Sequence, residues 1–141
     1  MRGGLDRQRM PAVVLGPADE QVSMAIEAQR VPELPIIRPR SVTILAAILM
    51  QARACIGHDS GVAHLAAALG VPTVAMFGPT DEQRWAPRGV HVTVVRGGGC
   101  VCVDWDAVRA CTGKPCLNVK PDEVFKALDA IDFRYRRVTN S

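Results

Sequence analysis

Aromatic residues are scarce: they make up 4% of the 141 positions, as two tryptophans, one tyrosine and three phenylalanines. With alanine and valine abundant instead, the composition speaks against a β-sandwich and for helices packed closely on a sheet. Long apolar runs are missing too. The best, Val42 to Met50, is about half of what a membrane-crossing helix needs. Met1-Arg2-Gly3-Gly4-Leu5-Asp6 carries charge with no apolar stretch behind it, so no secretory signal is expected there and the cytoplasm is the default location. The formal charge is only +3, and no motif mixes basic and aromatic residues in the way a nucleic-acid surface does.

What is present is ordinary for a soluble globular protein: 48% apolar and 22% charged residues, in a chain long enough for one domain with a true core. The organising stretch runs from Cys55 to Thr80. Ala54 to Ile56 reads as a short strand ended by Gly57. Val62 to Leu69 is alanine-rich and helix-favouring, Gly70 stops it and Pro72 cannot continue it. Thr73 to Phe77 is β-branched and apolar, as a buried strand should be.

The rest of the chain follows the same alternation. Ala12 to Leu15 predicts a short strand. Gly16-Pro17-Ala18-Asp19 predicts a turn with Asp19 as N-cap, and Glu20 to Arg30 a helix with Val22, Met24, Ile26 and Ala28 as its apolar positions. Pro32 and Pro35 break it, and Ile36 and Ile37 form a second strand. Ser41 caps a nearly continuous apolar helix, Val42 to Arg53, expected to be largely buried. Asp81 to Gly89 is a loop or short helical turn, Val90 to Val95 a strand, and Cys100 to Cys116 an irregular segment. Pro121-Asp122-Glu123 opens a last helix through about Ile131, followed by a solvated basic tail. Alternating strands and helices imply a mostly parallel sheet with helices on both faces and ligands beyond the carboxyl ends of its strands.

The turns after Ile56 and Phe77, and the turn at Gly16, lie at that edge. Asp59-Ser60-Gly61 has two readings on spacing alone. It is a helix cap with a glycine easing the turn, or an anion cradle, where the unpaired N–H groups and dipole of a helix N-terminus meet a phosphate. His64, in the first turn of that helix, would reach the same anion. Asp59, a carboxylate, fits backbone N–H groups or sugar hydroxyls better than phosphate. Gly78, Pro79 and Thr80 would border the site. Cys100, Cys102, Cys111 and Cys116 give C-x-C-x8-C-x4-C, which is not a zinc-ribbon spacing. They are weak metal candidates, and reduced, partly buried thiols are the plainer expectation. Cys55 reads as a small core residue.

The series Asp59-Ser60-Gly61-x-x-His64-Leu65-Ala66-Ala67-Ala68-Leu69-Gly70-Val71-Pro72-Thr73, then Phe77-Gly78-Pro79-Thr80-Asp81, Trp85-x-Pro87 and Cys116-Leu117-x-Val119-x-Pro121-x-Glu123-Val124, resembles the C-terminal half of glycosyltransferase family 9, the heptosyltransferases of lipopolysaccharide core assembly and their relatives. The resemblance implies a Rossmann-like, three-layer α/β domain of the GT-B type. Residues 11–132 would be the nucleotide-sugar-binding domain, between a loose leader (1–10) and a basic tail (133–141). Ser60, Gly61, His64 and Asp59 would hold the donor diphosphate. Gly16, Asp19 and Glu20 would lie at the nucleoside, Met50 near the base.

The implied donor is ADP-heptose or another nucleotide-diphosphate sugar, with no separate cofactor. The implied acceptor is of the lipopolysaccharide type, and the implied place is the cytoplasm or the periphery of the inner membrane. The family's acceptor domain, with its catalytic carboxylate, and its glycine-rich, lysine-bearing opening loop have no counterpart in this sequence. No catalytic base is therefore assigned here, and an acceptor-side domain or second chain is the implied partner. The alternatives are a truncated, non-catalytic nucleotide-binding or interaction module, and a cysteine-loop metal domain.

Overall fold

A computed structural model describes residues 10–29, 34–99, 102 and 104–139, with 132–139 as backbone alone. The chain divides into two compact units, Met1–Leu45 and Ala46–Ser141. Most of the expected leader, Arg30 and Pro32 after the first helix, and Cys100 lie outside the described residues.

In the first unit, β1 (Val13–Val14) pairs in parallel with β2 (Ile36–Ile37). The Val13 N–H donates to the Pro35 carbonyl at 2.8 Å and the Leu15 N–H to the Ile37 carbonyl at 3.0 Å. Between them runs α1 (Glu20–Ala28), so the unit is a β-α-β crossover. Asp19 takes the N-cap position, as its place before the helix predicts. The inward face of α1 differs from expectation: Val22 and Met24 are exposed, while Ser23 is buried and Ile26 half-buried. A hydroxyl is tolerated inside because Arg38 donates to it at 2.6 Å.

The helix α2 (Val42–Gln51) leads from the first unit into the second, and the Ser41 hydroxyl accepts from the Ile44 N–H at 3.2 Å at its start. It is not largely buried. Only Leu49 is buried, with Leu45, Ala46 and Ile48 half-buried, whereas Val42 is 70% and Met50 67% exposed. Leu45, Ile48 and Leu49 fall at helical spacing on one stripe; Ile44 and Met50 lie off it and are bare, and Val42, on the stripe, is bare at the first position of the helix.

The second unit holds a parallel sheet of order β3-β4-β5, formed by β3 (Cys55–His58), β4 (Thr73–Phe77) and β5 (Val92–Arg96). The central strand β4 is buried at every position but Met76. The edge strand β3 alternates, with Cys55 and Gly57 half-buried and Ile56 and His58 exposed. Cys55 is therefore a flank of the core rather than its interior, because an edge strand is covered on fewer sides.

On one face lies α3 (Gly61–Ala68), which buries Ala63, Ala66 and Ala67. A Cβ built on Gly57 would stand 3.6 Å from that of Ala63, so small residues let helix and strand meet. Gly70, at φ +76°, supplies the left-handed residue that ends this helix. On the other face α6 (Pro121–Thr139) packs Ala127, Leu128 and Ile131 on Val74, with Ala54, Val95 and Val124 around them. Burying each large aliphatic chain is worth about 1.5–3 kcal/mol. These three layers are the α/β, Rossmann-like arrangement that the alternating pattern predicts.

Several boundaries shift. β3 runs on through Gly57 to His58, and α2 ends at Gln51 rather than Arg53. β5 begins at Val92, not Val90, whose side chain stands exposed. α4 (Glu82–Trp85) is the short helical turn allowed for in Asp81 to Gly89, while the short helix α5 (Trp105–Ala110) and a 3-10 turn at Pro115–Leu117 occupy the segment expected to be irregular. α6 runs on to Thr139 instead of stopping near Ile131, since residues 132–139 contain neither glycine nor proline.

Candidate functional site

The second unit places Asp59, Ser60, Gly61 and His64 at the carboxyl edge of its sheet. The Asp59 N–H still donates to the Met76 carbonyl at 3.2 Å, so the ladder persists to the last residue before the turn. Ser60 is extended (φ −154°, ψ 161°) in the N-cap position of α3, yet its hydroxyl makes no capping bond. The first intrahelical bond joins the His64 N–H to the Ser60 carbonyl at 3.3 Å. The N–H groups ahead of it have no carbonyl one turn back, as at any helix start.

Gly61 lies open. A Cβ there would meet no atom within 4 Å, so packing does not require the glycine. His64 is exposed in the first turn of the same helix, where side chains lean toward the N-terminus. The cap-only reading predicts a hydroxyl spent on the helix. The structure leaves that hydroxyl unspent, beside open backbone and a histidine.

The second turn lies alongside. His58 pairs with Met76 at the end of the β3–β4 ladder, so the turns that follow the two strands leave the same edge of the sheet. Gly78 is buried and Pro79 and Thr80 are half-buried. Asp81 caps α4, accepting from the Gln83 N–H at 3.0 Å. Beyond it Arg84 lies 5.5 Å from the ring centre of the exposed Trp85. Met50 stands exposed in the last turn of α2.

Gly16, Asp19 and Glu20 belong to the first unit and form a site of their own. The Asp19 carboxylate closes the turn, accepting from the Gly16 N–H at 2.7 Å. It is thus occupied by its own backbone. Glu20 lines an open pocket of about 560 Å³ together with Leu15, Gly16, Pro17, Arg38, Pro39 and Arg40. The pocket sits just beyond the carboxyl ends of β1 and β2. Arg38 and Arg40 escape a motif-based reading. The available signal was Arg-Pro-Arg directly after a strand, the position where parallel sheets bind ligands.

Of the cysteines, Cys116 is buried and Cys102 and Cys111 are half-buried. Among the described residues no group of three or more His, Cys, Asp or Glu side chains is placed to hold a metal ion. Burial raises the Cys55 thiol above its ordinary value. Among the described residues no helix is long and apolar enough to cross a membrane.

Comparison with known proteins matches residues 10–104 to the family described as glycosyltransferase family 9 (heptosyltransferase). Over 46 residues the chain is 52% identical to lipopolysaccharide heptosyltransferase 1 of Pseudomonas aeruginosa, covering 32% of this chain and 13% of that protein. Over 88 residues it is 27% identical to lipooligosaccharide heptosyltransferase 2 of Haemophilus ducreyi, covering 60% and 25%. The chain thus matches a quarter or less of the length of these relatives. In fold it resembles the crystal structure of a family 9 glycosyl transferase from Veillonella parvula, with a TM-score of 0.75 and 21% identity over 87% of this chain and 36% of the other.

Proposed function

This chain belongs to glycosyltransferase family 9, and we propose that its second unit binds the diphosphate of a nucleotide-sugar donor at the start of α3. The observation that carries the proposal is the unspent Ser60 hydroxyl beside the open backbone of Gly61, with His64 on the same turn. Backbone N–H groups and a helix dipole aimed at one point favour an anion there. During transfer the bond from the sugar to the diphosphate breaks and negative charge grows on the departing nucleoside diphosphate. Donors already in place for that charge stabilise the transition state.

In this reading Ser60 and the Gly61 backbone hold the phosphates and His64 adds a further donor. Asp59, half-buried beside them, accepts from sugar hydroxyls. None of these residues is proposed as the base that deprotonates the acceptor. The heptosyltransferase names of the relatives make a heptose the proposed transferred sugar and ADP-heptose the first donor to try. The proposed acceptor is of the lipopolysaccharide type. The first unit's pocket, with Glu20 as a hydroxyl acceptor and Arg38 and Arg40 as donors, suits a nucleoside by its own chemistry.

Calorimetric titration with ADP, UDP and GDP tests the reading. At least one is expected to bind, and the pair Ser60→Ala and His64→Ala to weaken it at least tenfold. Binding by none of the three sinks the donor role. A second reading, a non-catalytic interaction module, is favoured by the bare apolar side chains Val42, Ile44 and Met50. Sugar transfer catalysed by the isolated chain would exclude it.

A further inference from the structure

Leu117 is 56% exposed, yet its Cδ2 fills the space in which a Cβ on Gly78 would stand. The 3-10 turn that carries it is fixed from both sides. The Gly97 N–H donates to the Cys116 carbonyl at 3.2 Å, Cys116 is buried, and the Leu117 N–H returns to the Lys114 carbonyl at 2.9 Å. Lys114, at φ +37° and ψ 53°, holds the left-handed conformation at this turn, one that is strained for a residue with a side chain. That conformation lays the turn along the carboxyl edge of the sheet. The Pro115 and Cys116 carbonyls sit over Gly97, just beyond β5, and Leu117 sits over Gly78, just beyond β4. The next turn along that edge is Ser60–Gly61, after β3. A leucine is thus held half in contact and half open over the turn after β4, the strand next to the one that leads into the proposed diphosphate site.

We propose that Leu117 is the apolar wall of that site. It rests against the carbon-bound face of the sugar ring attached to the diphosphate, and so sets the fit of the donor. This rests on the donor-binding reading above. Sugar rings present C–H faces to apolar side chains and hydroxyls to polar ones, and a leucine beside an anion cradle discriminates for the former.

The test is a titration of the full chain, labelled at backbone nitrogen and leucine methyls, with ADP, UDP, GDP and a hexose conjugate of each. The Gly61 amide and the Leu117 methyls are expected to shift along one binding curve. Methyl shifts with the bare diphosphate assign the ring to the ribose, and shifts that need the conjugate assign it to the transferred sugar. Leu117→Ala is expected to weaken binding roughly fivefold with little change in thermal midpoint, and Leu117→Met to restore it. A Gly61 amide that shifts while the Leu117 methyls stay still overturns the inference, as does unchanged binding by Leu117→Ala. If neither group moves with any ligand, the donor-binding reading itself fails and takes this inference with it.

Discussion

Arg38 donates from Nη2 to the Ser23 hydroxyl at 2.6 Å, and Ser23 Oγ donates onward to Glu27 Oε1 at 3.3 Å. One buried hydroxyl on α1 therefore ties a guanidinium that lines the first unit's pocket. The place of that guanidinium is thus set in part by Ser23, a residue that does not line the pocket.

Ser23→Ala removes this tie while leaving Arg38 free to reach water. The expected cost is about 1 kcal/mol, the usual worth of one hydrogen bond whose other partner can be solvated. Chemical denaturation checks it. Arg38→Ala should cost more, because it strands the buried Ser23 hydroxyl with only the longer bond to Glu27. Equal stability for the two variants would mean that Ser23 does not hold Arg38.

Gly97→Ala tests the anchor of the cysteine-bearing loop. An added Cβ would stand 2.6 Å from the Pro115 carbonyl oxygen and 2.7 Å from that of Cys116. Both are backbone atoms, and the 3.2 Å bond from the Gly97 N–H to Cys116 holds them close. A loss of about 1–3 kcal/mol is expected, as for overpacking elsewhere. Gly99→Ala, where a Cβ meets nothing within 4 Å, is the control and should be close to neutral.

Cys55 gives a pH dependence with a definite sign. Burial raises its folded-state pKa above the ordinary value of 9.0, so the folded chain prefers the neutral thiol. The unfolded chain ionises first. The contribution to stability is full below about pH 9 and is lost as pH rises from the unfolded value through the folded one. Denaturation midpoints between pH 8 and 11 should fall less in Cys55→Ala than in the parent chain. Below the transition Cys55 should also alkylate more slowly than a solvent-exposed thiol.

Local features were legible in the sequence and long-range ones were not. The ends of α3 could be read because Ser60, Gly61 and Gly70 act on their own turns. β4 could be read because a short β-branched run between Pro72 and Gly78 has few other fates. The Arg38–Ser23 bond joins residues fifteen positions apart and leaves no periodic trace. Leu117 over Gly78 escaped for the same reason: nothing in a C-x4-C spacing says which glycine the loop will cover. The apolar run of α2 correctly predicted a helix but not its bare face, since composition does not say how many sides of a helix are covered.

Gly61→Ala separates the cradle from the cap. Alanine favours a helix over glycine by up to about 1 kcal/mol in an interior position and by less at the first turn. The new methyl would meet no protein atom within 4 Å. Stability is therefore expected to stay level or rise by a few tenths of a kcal/mol. A bound phosphate, however, would find that methyl against the N–H groups it needs. Affinity for the nucleotide diphosphate should fall roughly tenfold, about 1.4 kcal/mol. Both quantities come from one protein preparation, the first by denaturation and the second by calorimetry. A variant that loses stability and keeps its affinity would make Gly61 a packing residue and remove the main support for an anion at this turn. A variant that keeps its stability and loses affinity can be explained only by a ligand approaching the backbone where the glycine leaves it open.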